Sequence, residues 1–377
     1  MSEVLLVAKE AHDREKRVAV VPAGVGALAE LSFEVRVEKG CGAAAGFPDA
    51  AYAQAGAVIV ESDEEGIPRA DVVLRVREPR REDLRRSKPG AFQVGLLNPF
   101  RENGWVKFLA DSGGASISLE LIPRTTIAQA MDVMSSQANL AGYAGVMLGA
   151  RRLGRVLPMM TTPAGTLVPA RVFVLGAGVA GMQAIATAKR LGARVQAFDP
   201  RPGVAEQVRS LGVRFLEMNL GEVREAGGYV GELTADQLSE QREGMLKALR
   251  ESDLIITTAR VFGRPTPRLI TAEMLKRLRP GAVVVDLAAG SGGNVEGSEP
   301  GKTIVTANGV ALIGNDPMEC EVARDASMLF SSNLIQFLRH IRLGAAAGPF
   351  WKWDDPILRS CLLTRDGKVV NPRLNGS

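Results

Sequence analysis

Short apolar runs of strand length alternate with amphipathic stretches through the first 120 residues. Val4–Ala8, Val18–Val21, Val35–Glu38, Val58–Val60, Val72–Val76, Phe92–Leu97 and Ala115–Leu119 are β-branched or apolar and bounded by Gly, Pro or Asp, so each reads as a strand. Strands separated by helices imply βαβ units and a mostly parallel sheet. From Thr126 to about Ala150 the pattern becomes helical, over a length that suits a link between two domains. Residues 157–170 form a Pro/Thr/Gly turn region. A second alternating region follows, with strands expected at Arg171–Leu175, Arg194–Phe198, Asp253–Thr257, Ala282–Leu287, Thr303–Thr306 and Ala311–Gly314. A helix is expected over Val179–Leu191, and a longer one over Ser327–Arg342, apolar at Leu334, Ile335, Leu338 and Ile341.

The composition changes this picture mainly by exclusion. Of 377 residues, 46% are hydrophobic and 23% charged, a globular balance that argues against wholesale disorder. The 46 basic and 42 acidic residues are interspersed, with no polybasic block, so no nucleic-acid partner is expected. No apolar stretch approaches a membrane span. Met1 to Glu10 reads as a strand rather than a signal peptide. Cys41, Cys320 and Cys361 are far apart and odd in number, which fits a reducing cytoplasm and gives no metal spacing. With only His12 and His340, a histidine triad or multi-histidine metal centre has almost no material, and no metal site is expected.

The densest chemical signal is Gly176-Ala177-Gly178-Val179-Ala180-Gly181, directly after an apolar strand and opening a helix. Gly176 suits a tight turn, Gly178 a close approach of backbone to pyrophosphate, and Gly181 close helix–strand packing. The helix N-terminus offers unpaired N–H groups and partial positive charge. Asp199 ends the next strand, placed to bond the adenosine ribose hydroxyls, which favours NAD(H) over NADP(H). Arg201, two residues on, leaves that preference open to some ambiguity.

These residues resemble a known family: the NAD(H)-binding component of proton-translocating NAD(P) transhydrogenase. The resemblance spans almost the whole chain. It is most specific in PRTTIAQAMDVMSSQANLAGY (123–143), PMMTTPAGT (158–166), the fingerprint, AGGYVGEL (226–233), DLIITTA (253–259) and the GGN and SEPGK of 292–302. It implies an α/β fold of two Rossmann-like, doubly wound domains around a cleft, joined by long helices. Residues 1–135 with 320–377 would form the discontinuous N-terminal domain, and 136–319 the NAD(H)-binding one. It also implies a homodimer whose NADH gives hydride to NADP⁺ held by a partner subunit. A membrane-spanning subunit would couple this to proton movement and hold the complex at the inner face of the plasma membrane.

By the same resemblance, Arg124, Gln129 and Asp132 match a loop beside the nicotinamide, and Ser135 a serine near its carboxamide. Tyr229 matches a tyrosine on a mobile loop that closes over nucleotide, and Thr258 and Ala259 belong to the cofactor wall. Hydride transfer between two nicotinamides requires positioning rather than a general base, which fits the scarcity of histidine. Ordinary structural readings stand beside these: a surface pair for Arg124 and Asp132, a solvated Gln129, a Ser135 bonded to backbone within its helix, and a loop anchor for Tyr229. Gly290 stands where close relatives carry an acid, and Asn315–Glu321 departs from the family pattern. Two other readings remain. Alanine dehydrogenase resembles this chain but uses a lysine and a histidine in its first domain. Here Arg77 occupies the comparable strand and AFQVGLLNPF (91–100) lacks histidine. A non-catalytic NADH sensor would have no use for Arg124, Gln129 and Asp132.

Overall fold

The computed structural model describes residues 3–101, 104–201, 203–219, 234–260, 263, 266–315, 317–342 and 351–374, with 225–226 and 229–230 described as backbone. Its contacts divide the chain into two units, Met1–Gln137 with Val322–Ser377, and Ala138–Glu321.

The first unit begins with β1 (Glu3–Val7), β2 (Phe33–Glu38), β3 (Val58–Val60), β4 (Val72–Arg77), β5 (Phe92–Leu96) and β6 (Ala115–Ser118). They pair in parallel in the order β6-β5-β4-β1-β2-β3, with Leu5 opposite both Val35 and Val72. Strands in sequence order 3-2-1-4-5-6 make the doubly wound sheet. Val18–Val21 is buried as expected of a strand but pairs with no sheet. Val18 N–H donates to Ser327 Oγ at 3.0 Å, and Val21 N–H to Ser331 Oγ at 3.2 Å. A helix that supplies hydroxyl acceptors satisfies these donors in place of a ladder.

Helix α1 (Val133–Arg152) carries the unit boundary. The helix expected from Thr126 therefore starts later. Residues 129–131 form a 3₁₀ turn, and Asp132 has ψ of 84°, outside the helical range. Its carboxylate accepts from the Ser135 N–H at 2.9 Å and from the Ser135 hydroxyl at 2.5 Å, so it caps α1 and separates it from the preceding loop.

In the second unit, β7 (Met160–Thr162) and β8 (Gly165–Leu167) form an exposed antiparallel hairpin within the expected turn region. The main sheet comprises β9 (Arg171–Leu175), β10 (Arg194–Phe198), β11 (Arg214–Phe215), β14 (Leu254–Thr257), β15 (Val283–Asp286), β16 (Thr303–Val305) and β17 (Ala311–Ile313). Between β11 and β14, β12 (Glu225–Ala226) pairs with β13 (Tyr229–Val230). The order β11-β10-β9-β14-β15-β17-β16 is parallel except for β16, which runs antiparallel to β17.

Alternate side chains of β9 enter opposite cores. Val172 and Val174 pack with Ala184, Ile185 and Ala188 of α2 (Val179–Arg190). Phe173 and Leu175 pack with Met245 and Leu249 of α4 (Ala235–Glu251). Helix α3 (Val204–Ser210) follows β10. On α1, a Cβ at Gly149 would stand 2.5 Å from Leu254 Cδ1, and one at Gly142 would stand 2.1 Å from the Ala180 carbonyl. Small residues thus let α1 lie close on the sheet and on the first turn of α2.

The chain then completes the first unit with α5 (Ala323–Ile341), α6 (Pro356–Cys361), β18 (Leu362–Arg365) and β19 (Lys368–Val369). β18 joins β6 antiparallel, with Leu362 opposite Ile117. Phe330, Leu334, Phe337 and Leu338 of α5 join the core formed by Leu5, Val7, Val35 and Val37. Trp351 stacks on Phe92 at a centroid distance of 4.6 Å, a packing role.

Candidate functional site

The turn after β9 carries the fingerprint. Gly176 has φ of +92°, which favours glycine, and a Cβ there would stand 2.7 Å from Thr258 Oγ1. A Cβ on Gly181 would stand 1.9 Å from the Gly176 carbonyl oxygen, so this glycine is required for the contact between α2 and the turn. Gly178 differs. It is the N-cap of α2, and the nearest atom to its missing Cβ is Arg201 Nη2 at 3.9 Å. Two glycines therefore serve the fold, and the third leaves room in front of the unpaired N–H groups of α2.

That room opens into a cavity of about 560 Å³ lined by Ala177, Gly178, Val179, Arg201, Val204 and residues of α2 and α3. Its size lies in the usual range for cofactor sites. Helix N-terminal donors, a missing Cβ and a nearby acid fit a pyrophosphate and an adenosine ribose. Asp199 is 5% exposed. Its carboxylate accepts from the Ala177 N–H at 2.8 Å and from the backbone, Nε and Nη2 of Arg201 at 3.0, 2.9 and 2.8 Å. The acid expected to face a ribose thus also fixes the glycine turn and holds a bidentate arginine.

Across the C-terminal edge of β14 and β15, Thr258 Oγ1 donates to the Gly176 carbonyl at 2.9 Å. The Ala259 N–H donates to Asn294 Oδ1 at 3.0 Å, and Asn294 Nδ2 returns a bond to the Ala259 carbonyl at 2.8 Å. Buried Asp286 accepts from Thr257 Oγ1 at 3.0 Å and from the N–H groups of Ala288 and Val295 at 3.0 and 3.1 Å. Sequence reasoning missed Asp286 and Asn294. Their only signal was a polar residue after or near an apolar strand end. Gly290 lies exposed in the 3₁₀ turn of Ala289–Ser291.

In the first unit, Arg124 and Gln129 are exposed on the loop before α1. Asp132 and Ser135 bind each other through the helix cap, which replaces the ordinary readings of an Arg124–Asp132 pair and of a serine bonded to a helix carbonyl. Tyr229 lies on β13, and its side chain is outside the described residues. In the departing segment, Asn315 Nδ2 donates to Glu321 Oε1 at 2.9 Å, and residue 316 is outside the described set.

The comparable turn after β1 is closed by charged side chains. Buried Arg17 donates to Glu15 through Nε at 2.7 Å and Nη2 at 2.6 Å, and to Gln137 Oε1 through Nη1 at 2.8 Å. Arg77 Nε adds a bond to Glu15 at 3.0 Å. Glu10 accepts from the N–H groups of Val76 and Arg77 at 2.6 and 3.1 Å, and burial, with Glu15 nearby, pushes its carboxyl up to about 7. Among the described residues, no cluster of His, Cys, Asp or Glu is arranged to hold a metal. None of their helices is long and apolar enough to cross a membrane.

Comparison with known proteins covers both units. The N-terminal domain pattern of the alanine dehydrogenase/PNT family matches residues 6–141, and its C-terminal domain pattern matches residues 145–372. The first of the chains that make up the NAD(P) transhydrogenase alpha subunit of Rhodospirillum rubrum is 42% identical over 381 aligned positions, covering 99% of each chain. A solved structure of transhydrogenase from Sinorhizobium meliloti superposes with a TM-score of 0.85 at 39% identity, over 98% of this chain and 100% of that one. Alanine dehydrogenase of Halomonas elongata is 31% identical over 379 positions, covering 97% of this chain and 94% of that one.

Proposed function

The chain belongs to the alanine dehydrogenase/PNT family, and from that premise we propose that it is the NAD(H)-binding subunit of a proton-translocating NAD(P) transhydrogenase. The observation that carries this reading is the open turn at Gly178, where α2 presents its N-terminal donors to a cavity beside Asp199. Bound NADH would supply the hydride. The chain's own residues hold and orient: the turn at 176–181 takes the pyrophosphate, Asp199 the ribose, and Thr258 and Ala259 the wall beside it. Gln129, exposed and able to donate and accept at once, suits a bridge toward a second nucleotide on a partner subunit. Asp132 and Ser135 hold the end of that loop against α1.

Alanine dehydrogenase activity is less well supported. Arg77 stays charged at neutral pH and cannot shuttle a proton. Buried Arg17, which could clamp a substrate carboxylate, is bound on both edges by Glu15 and Gln137. A homodimer is part of this proposal, supported by the apolar hairpin on which Met159, Met160, Leu167 and Val168 are 44–65% exposed. Attachment to the inner face of the plasma membrane would come through a membrane-spanning partner. The test mixes purified chain with the NADP(H)-binding subunit and follows NADH loss in a single turnover. Rapid transfer is expected only in the mixture. Turnover of alanine and NAD⁺ by the chain alone would refute the assignment.

A further inference from the structure

Asp199 has no acceptor capacity to spare. Oδ1 accepts from the backbone N–H and Nε of Arg201 at 3.0 and 2.9 Å, and Oδ2 from the Ala177 N–H and Arg201 Nη2, both at 2.8 Å. A carboxylate offers about four lone-pair sites, and these four bonds use them. A ribose hydroxyl can reach this carboxylate only by replacing a donor. Two of the four donors are backbone groups fixed by the chain path. The other two belong to one guanidinium, which is the partner that can leave. Arg201 also lines the cavity at the glycine turn, with Nη2 3.9 Å from the place a Gly178 Cβ would occupy.

We propose that Arg201 is a specificity-determining residue of the nucleotide site: it covers Asp199 until an adenosine ribose takes its place, and its guanidinium then moves onto the pyrophosphate. The proposal rests on the NAD(H) reading above. The exchange keeps charge compensated, because a planar guanidinium that leaves a carboxylate meets a phosphate of matching geometry. A ligand with a ribose and no phosphate displaces Arg201 and gives it nothing in return. The site therefore selects phosphate-bearing adenosine compounds more strongly than the helix N-terminus alone would.

Calorimetric titration of the full chain with adenosine, ADP and NADH tests this in the wild type, Arg201→Met and Arg201→Lys. In Arg201→Met, adenosine should bind about threefold tighter or better, while ADP and NADH weaken about tenfold, the scale of one charge-assisted bond. Arg201→Lys should keep ADP and NADH within about threefold of wild type and still improve adenosine, because a point charge replaces the two-toothed grip. Equal shifts for all three ligands would mean that Arg201 only supports the fold, and would overturn the proposal while leaving the NAD(H) reading intact. If Arg201→Met fails to fold, Arg201→Lys decides: unimproved adenosine binding overturns the proposal. A wild-type chain that binds neither ADP nor NADH removes the NAD(H) reading and the proposal with it.

Discussion

The two sheets of this chain share the order 3-2-1-4-5 for their first five strands and part ways in the turn that follows strand one. Even the acid after strand two is common to both. Glu38 accepts from the Lys9 N–H at 2.8 Å, and Asp199 accepts from the Ala177 N–H at 2.8 Å. Each donor lies two residues beyond the end of its first strand, and each acid lies at or one residue beyond the end of its second. What differs is the filling. The first unit places Glu10, Glu15 and Arg17 behind its turn and saturates them internally. The second has three glycines there and a cavity. An acid at this place is thus first a device that ties down a turn. It takes part in nucleotide binding only where glycine leaves space, so function follows the turn and not the fold.

The comparison can be broken at the glycines. In Gly181→Ala the new Cβ meets the Gly176 carbonyl at 1.9 Å, so backbone must shift. A loss of about 3 kcal/mol or more is expected, read as a lower midpoint in urea, together with loss of NADH binding. Gly178→Ala has room within the fold. It should melt like the wild type yet bind NADH at least about tenfold more weakly, because its methyl enters the space for phosphate.

The next effect belongs to the first unit. Burial raises the carboxyls of Glu10, Glu38 and Glu120, all in that unit. Glu10 rises from 4.5 to about 7. A carboxyl raised on folding binds its proton more tightly in the folded chain, so its contribution to stability is complete below the unfolded value and is lost as pH climbs through the folded one. Stability should fall from about pH 4.5 to 7, by up to about 3 kcal/mol for Glu10. Chemical denaturation of Glu10→Gln across that window should show a shallower fall; an unchanged slope would place the pH dependence elsewhere.

Asp199→Ala should weaken NADH binding by about 1–3 kcal/mol, the cost of a lost charge-assisted bond. Because Asp199 also anchors Ala177 and Arg201, the variant should lose stability too, which equilibrium denaturation would record. The smallest effect on binding is expected at Gln129. Gln129→Asn should leave NADH affinity nearly unchanged while single-turnover transfer to the partner falls about tenfold, since small misplacement is costly.

The glycine turn was legible in the sequence because strand, glycine spacing and helix must coincide there. The parallel strands were legible for a related reason: each is buried on both faces and reads as an unbroken apolar run. Val18–Val21 shows the limit of that signal, since an apolar segment lying against serines of α5 looks the same as a strand. The loop before α1 was hidden by Ala and Met at helical spacing, and only the contact between Asp132 and Ser135 ends the helix. Helix α4 begins at a capping box that was not used, in which Thr234 and Gln237 bond each other's backbone N–H groups. Asp286 and Asn294 escaped because their bonds go to backbone groups that folding brings together.

Amide hydrogen exchange of the full chain with and without NADH tests most directly whether the glycine turn, rather than the shared fold, makes the nucleotide site. The account predicts added protection at residues 176–183 of the second unit and none at residues 8–17 of the first. Protection centred on 8–17, with the glycine turn unchanged, would contradict it.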